Sequence, residues 1–144
     1  MANYYCTVRT NYFKVDDEEK FLDLIGNTYA EDNIEVFEKD DDGAKKFGFG
    51  TCGPITGYIP EDKEDDDDAL DYAFDNLLQG LQKVVAPDDA VIIMEAGAEK
   101  LRYVTGIAYI VTKNKISCID LSAAAVAQAA EDLENDDYQT QLEY

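Results

Sequence analysis

Glu95, Glu99, Lys100, Arg102 and Tyr103 fall within nine residues of one another and are all of types that do acid–base chemistry. Two carboxylates beside a cation and a phenol can hold and move protons when they face one cavity. The same residues equally suit the polar end of a hairpin. A small enzyme built on this hairpin is therefore one reading, and ordinary strand-end polarity is the other. The chain has no His, which removes imidazole bases and His metal ligands. Its cysteines, Cys6, Cys52 and Cys118, are widely spaced and form no Cys-x-x-Cys pair. A nucleophilic thiolate wants a His or cationic surroundings. Buried, reduced thiols are the expectation here.

Two further spacings invite ligands. Asp40-Asp41-Asp42-Gly43 suggests a calcium loop. Aligning Glu38, Asp40, Asp42 and Gly43 with positions 1, 3, 5 and 6 of such a loop puts Phe49 where a bidentate Glu is required. A polar hairpin turn is the better reading. Gly48-Phe49-Gly50-Thr51-Cys52-Gly53 spells a dinucleotide-binding glycine motif. That motif needs a helix N-terminus directly after it, and Pro54 follows instead. These glycines fit a strand end with close backbone packing. No metal and no cofactor are expected.

Charge is the strongest signal. The 144 residues include 32 Asp and Glu against 12 Lys and Arg, a formal net charge of −20. Hydrophobic residues still make up 46%, more than a disordered acidic segment would carry. The charge therefore coats a folded body. Direct nucleic-acid binding needs a basic face and is excluded. No apolar run is long enough to span a bilayer, and no signal peptide opens the chain, so a cytoplasmic protein is expected. Residues 31–75 hold sixteen acids and four bases, more than half of the net charge. Glu61–Asp75 alone has nine acids and one Lys. As a helix it would carry one net charge per ~2.8 Å at ~1.5 Å rise per residue. Single-stranded DNA carries one per ~3.4 Å. The run matches a phosphate strand in linear charge density.

The elements that position these residues follow from periodicity. Residues 4–15 are aromatic and β-branched and predict a strand, with a bulge at Asn11. Asp16 opens an acidic first turn, and Phe21, Leu22, Leu24 and Ile25 give a helix over 17–30. Strands are expected around Ile34–Phe37 and over 44–51, with a loop through Gly53, Pro54, Gly57 and Pro60. Leu70, Phe74, Leu77 and Leu81 recur at helical spacing, predicting a helix over 66–85 that places Asp67, Asp71 and Asp75 in one row opposite. Residues 90–95 are nearly all apolar and predict a buried strand. A turn at 96–98, strands over 101–112 (with a bulge at Gly106) and 116–121, and a helix over 123–134 capped by Ser122 complete the chain. The order β-α-β-β-α-β-β-β-α predicts an α+β fold with a mainly antiparallel sheet. Its first six elements have the order of ferredoxin-like domains. Residues 1–134 are expected as one domain and 135–144 as an acidic tail.

Small size, a pI near 4.1 and clustered carboxylates resemble the nucleic-acid-mimic inhibitors of phages and mobile elements, the antirestriction and anti-CRISPR proteins. Ala2-Asn3-Tyr4-Tyr5, Arg9-Thr10-Asn11-Tyr12-Phe13 and Glu95–Gly106 also resemble a family of small plasmid and phage proteins with no assigned activity. The first resemblance implies a non-enzymatic inhibitor. It would occupy the basic nucleic-acid groove of a bacterial defence protein, either a CRISPR effector or a restriction enzyme. An immunity or antitoxin protein blocking a basic nuclease toxin uses the same physics. The expected partner-binding residues are Glu61, Asp62, Glu64, Asp65, Asp66, Asp67, Asp68, Asp71 and Asp75, with Glu38, Asp40, Asp41 and Asp42. Halophily and simple solvation are the competing explanations of the charge. Ten of the twelve cations are Lys and the acids are clustered, which fits a partner better.

A surface at −20 repels itself, and salt relieves the repulsion. Unfolding curves should show higher stability at ~500 mM than at ~10 mM NaCl, as the Debye length falls from ~30 Å to ~4 Å. Equal stability would mean that the carboxylates ignore one another.

Overall fold

The computed structural model describes residues 4–60, 62 and 68–142. Its elements are β1 (Tyr5–Thr10), α1 (Glu18–Gly26), β2 (Thr28–Ala30), β3 (Glu35–Asp41), β4 (Ala44–Cys52), β5 (Ile55–Tyr58), α2 (Ala69–Val84), β6 (Val91–Glu99), β7 (Tyr103–Val111), β8 (Ile116–Asp120) and α3 (Leu121–Asp132). Six strands form one sheet in the order β3-β4-β1-β6-β7-β8, and all its pairings are antiparallel. The fold is α+β. β1 lies between β4 and β6, so β1-α1-β3-β4-α2-β6 is a split β-α-β unit. The sequence reading lacks two short strands, β2 and β5, which pair with each other. At three and four residues they are too short to show periodicity, and β5 falls among loop-forming Gly and Pro.

α1 starts where Asp17 accepts a hydrogen bond from the Lys20 N–H at 3.0 Å, a side-chain N-cap. Phe21, Leu24 and Ile25 point inward. The helix ends at Gly26 rather than reaching residue 30, because Thr28–Ala30 leave it to pair with β5. α2 buries Ala73, Leu77, Leu78, Leu81 and Val84. Leu70 was expected in this stripe but is 65% exposed. The helix is seated by a backbone contact with β5, where a Cβ on Gly57 would lie 2.1 Å from the Ala73 carbonyl carbon. Leu70 sits nearly one turn before that contact and so projects past it. Residues 63–67, expected as part of this helix or the run before it, lie outside the described residues.

Beneath the helices, Phe13, Phe21, Phe47 and Phe49 form an aromatic cluster. Phe13 meets Phe21 edge to face at 5.5 Å, and Phe21 lies 5.2 Å from Phe47. Val8, Leu77, Leu81, Val91, Ile93 and Val111 extend it into one core. β1 ends at Thr10 rather than running through a bulge to residue 15, and Asn11 stands where it stops. Its side chain donates to the Ala90 carbonyl at 3.0 Å and accepts from the Ile92 N–H at 2.8 Å, standing in for the backbone ladder.

Four further expectations are corrected. Ala96-Gly97-Ala98 is no turn. β6 runs on to Glu99 and the chain reverses at Lys100, whose φ is 48°. The small residues instead let β1 approach, since a Cβ on Gly97 would sit 2.3 Å from the Tyr5 carbonyl oxygen. Gly106 is in regular register with Ala96 rather than bulged. Asp120, not Ser122, caps α3 by accepting from the Ala123 N–H at 3.2 Å. Residues 90–95 are buried on one side only. Val91 and Ile93 face the core, whereas Met94 is 53% exposed. α3 lies beside β7 and β8 and buries none of its residues.

The Gly57–Ala73 contact is testable. Gly57 has φ 129°, so Gly57→Ala adds strain to a steric clash and should cost more than ~2 kcal/mol in urea unfolding. Gly26→Ala at the end of α1 meets nothing within 4 Å and should leave stability level or raise it by up to ~1 kcal/mol. Similar results for the two variants would remove Gly57 as the seat of α2.

Candidate functional site

Of the densest run of expected acids, Asp68, Asp71 and Asp75 stand in the first half of α2 or at its start. Asp68 is its N-cap residue and Asp71 lies in its first turn. Carboxylates there are favoured by the helix dipole, which offsets part of their mutual repulsion. Asp71 and Asp75 are exposed and stand one turn apart, on the same row of the helix. The opposite side of α2 holds Leu77 and Leu81, both fully buried, so the row is carried on a fixed element. Leu70 and Tyr72, 65% and 61% exposed, flank it. Asp62 is also exposed. Glu61, Glu64, Asp65, Asp66 and Asp67 lie outside the described residues. Among the described residues no ion pair involves Asp71 or Asp75.

The second group sits on the β3–β4 hairpin. Glu38, Asp40 and Asp41 are on β3, and Asp42 occupies the turn with φ 52° beside Gly43 at 81°. This group is partly neutralised. Lys45 lies 2.7 Å from Glu18 and 3.6 Å from Glu38, and Lys46 lies 3.2 Å from Asp41. The Glu18 carboxylate raises the Lys45 pKa by hydrogen bonding. β3 is also an edge strand, and charges on an edge discourage pairing with another chain. That explains these acids without a partner.

The two groups do not merge. Val15 bridges Val85, and the Asp16 N–H donates to the Val84 carbonyl at 2.9 Å. The start of α1, tied to the hairpin through Glu18 and Lys45, therefore adjoins the end of α2. The Asp68–Asp75 group lies at the other end of a 16-residue helix, whose length is about 24 Å at ~1.5 Å per residue. Among the described residues no three His, Cys, Asp or Glu are grouped to hold a metal ion.

The hairpin proposed for acid–base work is divided. Glu95 accepts a 2.7 Å hydrogen bond from the Tyr4 hydroxyl, and Tyr4 stacks on Tyr103 at 6.0 Å. Burial, then the bond to Glu95, pushes the Tyr4 pKa well up. Glu99 pairs with Arg102 at 2.8 Å, and Lys100 is exposed in the turn. Glu95 and Glu99 are four residues apart on one strand, hence about 13 Å along it at ~3.3 Å per residue. Carboxylates that act jointly across one glycosidic bond, for example, sit within ~10 Å. Tyr4, which the sequence reading left out of this group, is 91 positions from its partner. The alternation Tyr4-Cys6-Val8 places it on the inner side of β1, but only the β1–β6 register brings it to Glu95.

The cysteines also depart from expectation. Cys52 and Cys118 are exposed and Cys6 is half-buried. Cys52 ends β4, and Cys118 is on the edge strand β8. Burial, reinforced by the Glu95 charge, pushes the Cys6 thiol up.

A groove of about 860 Å³ runs between α3, residues 136–142 and the Tyr103–Gly106 part of β7. It includes none of the expected partner-binding acids. No helix among the described residues is long and apolar enough to cross a membrane. No family model, curated protein or solved structure matches the chain.

Thiol labelling at neutral pH should proceed in two phases, with Cys52 and Cys118 fast and Cys6 slow. Because the thiolate is the reacting form, the slow phase should speed up as pH rises. A single phase for all three, read by peptide mass, would contradict the placement of Cys6.

Proposed function

We propose that this protein is a non-enzymatic, cytoplasmic inhibitor that presents carboxylates to a basic groove built for nucleic acid, the groove of a bacterial defence nuclease or effector complex. The supporting observation is the Asp71–Asp75 row. Its charges are exposed, lack a cationic partner among the described residues, and stand on a helix locked into the core. Fixed charges lose little conformational freedom on binding, unlike charges on a floating tail. Leu70 and Tyr72 beside the row add apolar contact, and Tyr is favoured at recognition surfaces. The sequence just before α2 is also acidic. The β3–β4 hairpin is secondary, because Lys45 and Lys46 already take up part of its charge.

Charge on this surface steers encounter and excludes the groove's own ligand. Supplying a general base or nucleophile plays no part in the proposal, and the separation of Glu95 from Glu99 agrees with that. An enzyme reading would need a pocket that gathers those groups.

The test is inhibition of a purified RNA-guided DNA nuclease and of a restriction endonuclease by wild type and by the Asp71→Asn/Asp75→Asn variant. Both substitutions are at exposed positions, so the unfolding midpoint should hold or rise. Inhibition of the responsive enzyme should weaken about 3- to 30-fold, the effect of two charges at ~0.3–1 kcal/mol each. The loss should shrink as salt is added. Undiminished inhibition by the variant at low salt would place the recognition surface elsewhere. No inhibition of either enzyme by wild type would count against a defence-nuclease target.

A further inference from the structure

We infer that the outward side of β1, β6, β7 and β8 is a self-association surface, on which a second copy of this chain docks face to face. α1 and α2 cover the side of the sheet that carries Val8, Ile93, Tyr109 and Val111. The registers place the remaining side chains in rungs on the other side. Tyr5, Ala98 and Val104 make one rung; Thr7, Ala96 and Gly106 the next; then Arg9, Met94, Ala108 and Ile119; then Ile92, Ile110 and Ser117. Tyr5 is 74% exposed, Val104 65%, Ile119 55% and Met94 53%.

An antiparallel sheet with one solvated face normally alternates apolar-in with polar-out. This sheet does not. Val91-Ile92-Ile93-Met94 has the composition of a strand buried on both sides, yet only Val91 and Ile93 meet the core. Along β1, β6, β7 and β8 the outward side is apolar, and Leu121 of α3 lies against Gly106 at its margin. These four strands are also almost free of outward charge, whereas β3 and β4 carry Glu35, Lys39, Asp41 and Lys46 on that side. None of the chain's 32 acids points outward from β1, β6, β7 or β8, since Glu95 and Glu99 share the inner side with Ile93, and Asp120 pairs with inner-facing Ile107. The one cation there, Arg9, lies over the rings of Phe37 and Tyr12 at 4.2 and 5.4 Å.

Charge selects the occupant. Two chains at −20 repel, and contact through the helical layers would set carboxylate against carboxylate. Meeting through the open sheet face holds both acidic layers outward, with no acid from the four central and distal strands between them. Relief on the face suits a two-fold contact. Large Met94 and Ile119 stand beside small Ala96 and Ala108, so the projections of one copy fit over the low rungs of the other. Sheets packed this way lie ~10 Å apart with interdigitated side chains. Four strands at ~4.8 Å spacing and about seven residues long give ~440 Å² in plan, the apolar centre of an interface whose rim is polar.

Sedimentation equilibrium of the full chain tests the inference. Wild type should fit a monomer–dimer equilibrium with a dimer of twice 16.1 kDa. Self-association should tighten as NaCl rises, because screening removes the repulsion between like-charged bodies. Met94→Lys and Ile119→Lys, each at an exposed position, should retain the far-ultraviolet circular dichroism of wild type. Each should raise the dimer dissociation constant at least ~100-fold, since a two-fold axis buries every substitution twice. Asp71→Asn/Asp75→Asn should leave a dimer, which separates this surface from the inhibitory one. A wild-type monomer at every concentration up to ~100 μM and every salt would overturn the inference. A dimer that survives both Lys variants would overturn it equally.

Discussion

The seating of α2 on β5 and the sheet is the constraint on which the rest of the molecule depends. Gly57 lets the helix backbone come closer than any side chain would permit. That contact sets the rotation of the helix. Ala73, Leu77 and Leu81 then turn inward over the phenylalanine cluster, and Asp71 and Asp75 turn outward. A buried carboxylate without a partner is costly. A chain with 32 acids folds only if its core-forming positions are free of them. The helices satisfy this by keeping their acids off the buried side, α1 as well as α2. The Phe21, Leu24 and Ile25 side of α1 is buried, while Glu18, Glu19 and Asp23 remain in water.

The same segregation gives the protein two unlike surfaces. The helical layer and the β3–β4 hairpin carry carboxylates, some of them tied down by Lys45 and Lys46. The outer side of β1, β6, β7 and β8 carries apolar and small residues and a single stacked guanidinium. Contacts made by the first surface weaken with salt, and contacts made by the second strengthen with it. A self-associated form would leave both helical layers facing outward, available to cationic partners.

Much of this was legible in the sequence because long periodic segments dominate the fold. The acidic first turn and the apolar face located α1, and the Leu77–Leu81 spacing located α2. Signals that depend on pairing between distant segments were not legible. β2 and β5 exist because they meet each other. Asp120 caps α3 in preference to Ser122 because β8 ends there. Ala96-Gly97-Ala98 has turn-like composition, and only the close approach of β1 explains its place in a strand. The acid row at Asp71 and Asp75 was readable, since solvent exposure follows from helical phase. Its exposed apolar neighbour Leu70 was not, because periodicity does not say where a helix outruns its support. The division of the Glu95–Tyr103 hairpin was hidden for a related reason. Sequence proximity put Glu95 and Glu99 together, while an extended strand holds them apart and gives Glu95 to Tyr4.

The central claim is that carboxylates on the helical layer take the place of nucleic acid in a basic groove. Competition measures this most directly. A defence nuclease that the protein inhibits is held at fixed concentration, and binding of the labelled protein is followed by fluorescence anisotropy as unlabelled duplex DNA is added. Mutually exclusive occupancy predicts complete displacement, with the protein's apparent dissociation constant rising linearly with free DNA and without a plateau. A ternary complex, seen as a plateau in which the protein stays bound at saturating DNA, would contradict it.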